Sequence, residues 1–175
     1  NLAHSTWDII SGNINTEDEI ILYDDNGAFA GLQAAEIIAK KGSKLKIITP
    51  ERFFSPEVGG MNYVPYAKNF IENNVEIIID KRIKKIEKRD NRLLVFIGSD
   101  YSNKIDKLET SQVVIEHGTL PLDDLYFELK PNSYNLGALD YNLMIKNEFK
   151  ELKKNPNGSF LLYRVGDAIS SRNIH

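Results

Sequence analysis

The chain has 175 residues, 42% of them hydrophobic and 27% charged, with a formal net charge of −3; that suits one compact globular domain, or one domain with a piece of a second. The mild negative charge argues against nucleic acid and anionic membrane surfaces as partners, and the lysines clustered over 81–88, interrupted by Glu87 and flanked by Asp80 and Asp90, read as a solvated strand face. The absence of cysteine excludes disulfides, thiolate nucleophiles and cysteine-bound iron–sulfur clusters from this chain.

No apolar run reaches the length of a membrane span and no signal peptide is visible, so a cytoplasmic location is expected. The sequence starts with Asn1 rather than Met and stops shortly after a Gly-Asp turn, so it is expected to be a piece of a longer protein. Asn157-Gly158-Ser159 reads as a turn.

In chain order, residues 5–10 suit one helical turn capped by Ser5 or Thr6 and anchored by Trp7. Residues 19–23 form a nearly continuous apolar run, as in a strand buried on both faces of a parallel sheet. Asp24-Asp25-Asn26-Gly27 is turn chemistry. From 28 to 41 the period becomes helical, with Ala28, Leu32, Ala35 and Ala39 on one face and Gly42 as the stop. A second buried strand follows over 45–48, ending at Thr49-Pro50, which completes a βαβ unit.

Residues 53–65 read as a loop with exposed aromatics, 66–74 as a short helix with Phe70 and Ile71 inward, and 75–79 as a third strand. After Asp80 the rhythm changes to three short strands over 83–88, 92–97 and 104–108, a β-meander. Residues 112–116 are a further apolar strand that returns to the parallel sheet, leaving the meander to cover one face. A short helix over 123–129, an irregular Asn-rich stretch and a final strand over 160–165 complete the chain. The expected fold is α/β: a Rossmann-like three-layer arrangement of parallel sheet, crossover helices and meander.

The turn after the first buried strand is where a dinucleotide fingerprint, G-x-G-x-x-G, would aim a helix N-terminus at a pyrophosphate. Here the register gives Asn26-x-Ala28-x-x-Gly31. Gly31 permits close helix–strand packing, and Asn26 and Gly27 supply turn conformations. The Ala28 methyl stands where a pyrophosphate approaches the backbone, and Asp24 and Asp25 add negative charge. Thr49 and Glu51 lie where a ribose-binding group is expected.

At these residues the chain resembles the trimethylamine dehydrogenase-like NADH:flavin oxidoreductases. The segment Tyr23-Asp24-Asp25-Asn26-Gly27-Ala28-Phe29-Ala30-Gly31 is similar to the altered fingerprint in their C-terminal half. The segment from Glu116 and His117 through Gly118, Thr119 and Pro121 to Leu122 sits where related flavoproteins carry A-T-G-R-x-P-N; Gly118 and Pro121 match, while Thr119 and Leu122 replace the Arg and Asn. The closing run from Val165-Gly166-Asp167 to His175 resembles the Gly-Asp segment of a flavin- or ADP-binding domain.

The resemblance covers nearly the whole chain. It implies that residues 15–120 are an NAD(P)-binding-like module, with 1–14 and 121–175 belonging to the FAD/ADP-binding-like domain around it. It also implies a partner domain, an N-terminal TIM barrel carrying FMN and an iron–sulfur cluster, to which substrate oxidation belongs. Gly118, Gly166 and Asp167 join the candidate cofactor residues on this basis, Asp167 as a ribityl or ribose contact. NAD(H), ADP or FAD would bind this chain weakly or not at all, and it would not be catalytic alone. A homo-oligomer is compatible with the sequence.

Two other readings stand beside this one. A receiver-like domain would use Asp24 and Asp25 for Mg²⁺ and Asp80 as phosphoacceptor, but needs alternating βα units after Asp80. A scaffold or docking module would use the aromatic loop that begins at Arg52 and Phe53. His117, at a strand end, could contact a ligand or move a proton. No H-x-x-x-H spacing supports a metal site.

Overall fold

A computed structural model describes residues 3–148 and 150–170, and the chain divides into two compact units, Asn1–Gly118 and Thr119–His175. In the first unit the elements run β1 (Ala3–Ser5), α1 (Thr6–Ile10), β2 (Glu19–Asp24), α2 (Phe29–Lys40), β3 (Lys44–Ile48), α3 (Gly60–Glu72) and β4 (Glu76–Ile78). Then come β5 (Arg82–Arg89), β6 (Arg92–Gly98), β7 (Ile105–Thr110) and β8 (Gln112–Glu116). Strands β1-β8-β2-β3-β4 form a parallel sheet in that order, and β5-β6-β7 an antiparallel one. This is the expected Rossmann-like α/β fold, with β8 returning beside β2.

The apolar run of β2 is continuous because both faces are covered. Successive side chains point to opposite faces, so Ile20 and Leu22 enter a core with Leu32, Ala35 and Ile38 of α2 and Phe70 of α3. Ile21 and Tyr23 enter a second core with Leu93, Val95 and Ile97 of β6. Each fully buried aliphatic side chain contributes about 1.5–3 kcal/mol of transfer free energy. The meander's outer face is polar: Lys85 and Lys107 lie over the Phe96 ring, and Lys84 and Arg82 pair with Asp100. The antiparallel turn taken after Asp80 departs from the βα alternation a receiver domain requires.

Several expectations need correction. Residues 3–5 form a strand pairing in parallel with β8, Ala3 opposite Val113 and Ser5 opposite Ile115; only the helical turn behind it was expected. Ser5 caps that turn through a reciprocal box with Asp8. Removing the hydroxyl in Ser5→Ala should cost about 1 kcal/mol, read as a lowered thermal midpoint.

Helix α3 begins at Gly60, well before the expected start, and carries the exposed Pro65 inside it. Pro65 forfeits one helical hydrogen bond, yet packing decides the element. Tyr63, Tyr66 and Phe70, spaced i, i+3, i+7, face the first core, and Phe54 of the preceding loop is buried there too. Ile71, expected inward, falls about 100° further round the helix and is 78% exposed. Of the loop's two phenylalanines, Phe53 alone is exposed.

The second unit holds α4 (Asp124–Leu129) and α5 (Tyr141–Ile145). The latter arises inside the stretch expected to be irregular, because the Asp140 carboxylate caps Asn142 and Leu143. The expected strand over 160–165 does not form: among the described residues it makes one isolated bridge, Ser133 to Phe160. The buried Asn135 side chain takes over the pairing role, accepting from Leu162 N and donating to Leu162 O. Arg164 pairs with Asp123 and stacks over the Tyr126 and Phe127 rings.

Candidate functional site

The parallel register sets Asp24, last residue of β2, opposite Glu116, last residue of β8. Two carboxylates thus meet at the carboxyl edge of the sheet, both buried. Asp24 is 0% exposed. Its Oδ1 accepts from Gly27 N at 2.8 Å and Asn26 N at 2.9 Å. Its Oδ2 has no hydrogen-bond partner among the described residues and lies against Gly31, where an added Cβ would collide with it. Burial pushes the Asp24 carboxyl up to about 6; the turn amides oppose that rise, and the charges of Glu116 and Asp25 add to it.

Glu116 Oε1 accepts from Gly118 N at 2.8 Å and Asn26 Nδ2 at 3.2 Å, while Oε2 accepts from the buried Thr6 hydroxyl of α1. The turn, the end of β8 and the start of α1 are therefore tied through one carboxylate. Gly118 has φ +74°, and a Cβ there would meet Asn26 Oδ1 at 3.0 Å. Gly27, at φ +71°, is closed over by Pro56, whose Cδ lies 2.7 Å from where a Cβ would stand, and Gly27 O accepts from Glu57 N.

Nearer the surface, Asp25 Oδ1 meets His117 Nδ1 at 2.7 Å, and Asp25 Oδ2 accepts from the Tyr23 hydroxyl at 3.4 Å. The His117 ring sits edge-on to Tyr23. Burial, then the Asp25 charge, raises the Tyr23 phenol above its usual range. The Asp25 contact gives His117 the acidic partner its sequence did not reveal. Beside this pair a cleft of about 410 Å³ opens between β1, α1 and the end of β8, lined by Thr6, Trp7, Glu116, His117 and Gly118 among others.

The sequence-derived candidates fall into three places. Asp24, Asn26, Gly27, Ala28 and Gly31 share the β2–α2 turn, with Ala28 at the N-cap of α2 and making no side-chain cap bond. Gly118 joins them across Asn26. Thr49 directly follows β3, buried, its hydroxyl accepting from Glu51 N. Glu51 lines a separate cavity of about 180 Å³ with Asp80, Arg82 and Asp100. Gly166 and Asp167 lie exposed in a one-turn 3-10 helix of the second unit.

Glu116 and Thr6 were missed as site residues. Their link spans 110 positions, beyond any local pattern; the legible signal was an acid closing each of two apolar strands. The turn has the layout of an anion site but not its chemistry. Its amides are taken by Asp24, Ala28 carries a methyl, and three acids surround the helix start. These residues do not fit a pyrophosphate.

No protein-family model matches the chain. It is 44% identical over 174 residues to a probable N-methylproline demethylase of Rhizobium meliloti (strain 1021), covering 99% of this chain and 26% of that protein. It is 29% identical over 178 residues to an N,N-dimethylglycine/sarcosine dehydrogenase of Chromohalobacter salexigens, with coverage of 99% and 26%. The chain thus spans about a quarter of the length of these curated relatives. The solved structure of 6-hydroxypseudooxynicotine amine oxidase from Pseudomonas geniculata N1 superposes with a TM-score of 0.69 at 18% identity, over 98% of this chain and 22% of that one. At that identity the likeness speaks for the fold.

Proposed function

Because this chain belongs to the trimethylamine dehydrogenase-like family of NADH:flavin oxidoreductases, we propose that it is the C-terminal nucleotide-binding-type region of such an enzyme and is not catalytic alone. Residues 15–120 act as the NAD(P)-binding-like module, and 1–14 with 121–175 belong to the FAD/ADP-binding-like domain around it. Redox chemistry on the substrate falls to a partner TIM barrel carrying FMN and an iron–sulfur cluster, in a cytoplasmic enzyme.

The observation that carries this reading is the position of the turn at 24–31. From β2 the chain steps to β3 and β4 on one side, while β8 and β1 lie on the other. That makes the carboxyl end of β2 a topological switch point, where open α/β sheets place their ligands. Thr49 and Glu51 stand where a ribose would lie, Gly118 borders the crevice, and Gly166 and Asp167 serve the neighbouring domain.

The acids at the crevice weaken any dinucleotide there, so calorimetric titration of the chain with NADH, NAD, ADP and FAD should give weak or undetectable binding. A sub-micromolar dissociation constant for any of them, which requires about 8 kcal/mol, would refute that expectation of weak binding.

A further inference from the structure

We propose that the β2–α2 turn is an anion site filled by the chain's own carboxylate: Asp24 stands in for the oxyanion, and a pyrophosphate-class ligand enters only when that side chain is shortened. The inference deepens the nucleotide-binding-type reading above and rests on it.

Three features of one side chain lead there. Asp24 Oδ1 collects the amides of Asn26 and Gly27, donors that an incoming oxyanion would otherwise engage. Its Oδ2 reaches over the first turn of α2, a 12-residue helix whose N-cap offers no side-chain acceptor. That oxygen is fully buried and makes no hydrogen bond of its own among the described residues. It occupies the space above Gly31, the glycine whose lack of a Cβ opens this room. A carboxylate set against the start of a helix is favoured by the helix dipole, as a phosphate would be. The turn amides and the helix start thus already face a carboxylate, and a second anion meets both a filled volume and like charge.

The test is calorimetric titration of inorganic pyrophosphate into the 175-residue chain and two variants at about pH 8. Asp24→Ser keeps an oxygen for the turn amides while vacating the space over Gly31. Asp24→Asn is neutral but of the same size. Asp25 and Glu116 are unchanged throughout, so their repulsion is constant. Asp24→Ser should bind at least about tenfold tighter than the wild-type chain, and Asp24→Asn should gain less than about threefold.

No gain in Asp24→Ser, an equal gain in Asp24→Asn, or failure of Asp24→Ser to fold overturns the proposal. A second readout needs no ligand. Gly31→Ala should lower the thermal midpoint by roughly 5 °C or more in the wild-type chain and by much less in the Asp24→Ser background. Equal losses in both backgrounds contradict a carboxylate seated over Gly31. Sub-micromolar NADH binding to the wild type would overturn this inference and leave the nucleotide-binding-type reading standing, as would a silent Asp24→Ser variant.

Discussion

Replacing Glu116 by alanine is expected to destabilise the first unit by about 3 kcal/mol. The side chain is buried and receives donors from three segments: Gly118 N, Asn26 Nδ2 and the Thr6 hydroxyl. Truncation leaves the Thr6 hydroxyl, itself fully buried, without its acceptor and opens a cavity at the sheet edge. A buried polar group stripped of its partner costs about 1–3 kcal/mol, more than the net value of the bond it made. Part of the loss is offset, because Glu116 is one of the charges that raise the Asp24 carboxyl. Glu116→Gln keeps the volume and an acceptor oxygen and should lose about half as much. Urea melts followed by circular dichroism and by Trp7 emission, the chain's single tryptophan, report the difference. A loss below about 1 kcal/mol for Glu116→Ala would show that the network does not hold the edge together.

Asp24→Asn should change the pH dependence of stability. The folded-state Asp24 carboxyl stands at about 6, against 3.8 for an ordinary aspartate. Between these values the folded chain holds a proton that the unfolded chain has released. The favourable contribution is therefore fully present below about pH 4 and lost as pH rises through about 6. The stability difference between wild type and Asp24→Asn should shift by about 2 kcal/mol in favour of the asparagine variant between about pH 4 and pH 7. Asp8 held down by Ser5, Glu19 by Arg92 and Asp100 by Arg82 give the opposite slope, but they are common to both proteins and cancel in the difference. A parallel pair of stability–pH curves would mean that Asp24 titrates as an ordinary surface acid.

The core of the fold was legible because burial on two faces writes itself into β2 and β8 as apolar runs, and into β3 as Leu45, Ile47 and Ile48. The meander was legible because its strands are short and its turns carry Asp and Asn. What stayed hidden depends on partners far away in the chain. Strand β1 is three residues of mixed polarity made into a strand by β8. The start of α3 lies in a Gly-Gly segment before a proline, and only the docking of Tyr63 and Tyr66 on the core makes it helical. Residues 160–165 have the composition of a strand but lack a ladder to join, and a single asparagine side chain takes the place of one. At the site, the turn and its departures from the glycine fingerprint could be read directly. The acid pair could not, since Asp24 and Glu116 become neighbours only through the parallel register.

The closure of Pro56 over Gly27 carries a kinetic consequence. The segment bearing that proline is bolted at both ends: Phe54 is sunk against Phe70, and the Glu57 amide is fastened to Gly27 O. Between them Ser55 adopts φ 59°, a left-handed geometry unusual for serine. Rearranging the turn therefore means prising an aromatic plug from the interior at the same time, so exchange at this corner of the molecule is governed by the slow breathing of the hydrophobic layer beneath it rather than by the rapid flicker of a surface loop.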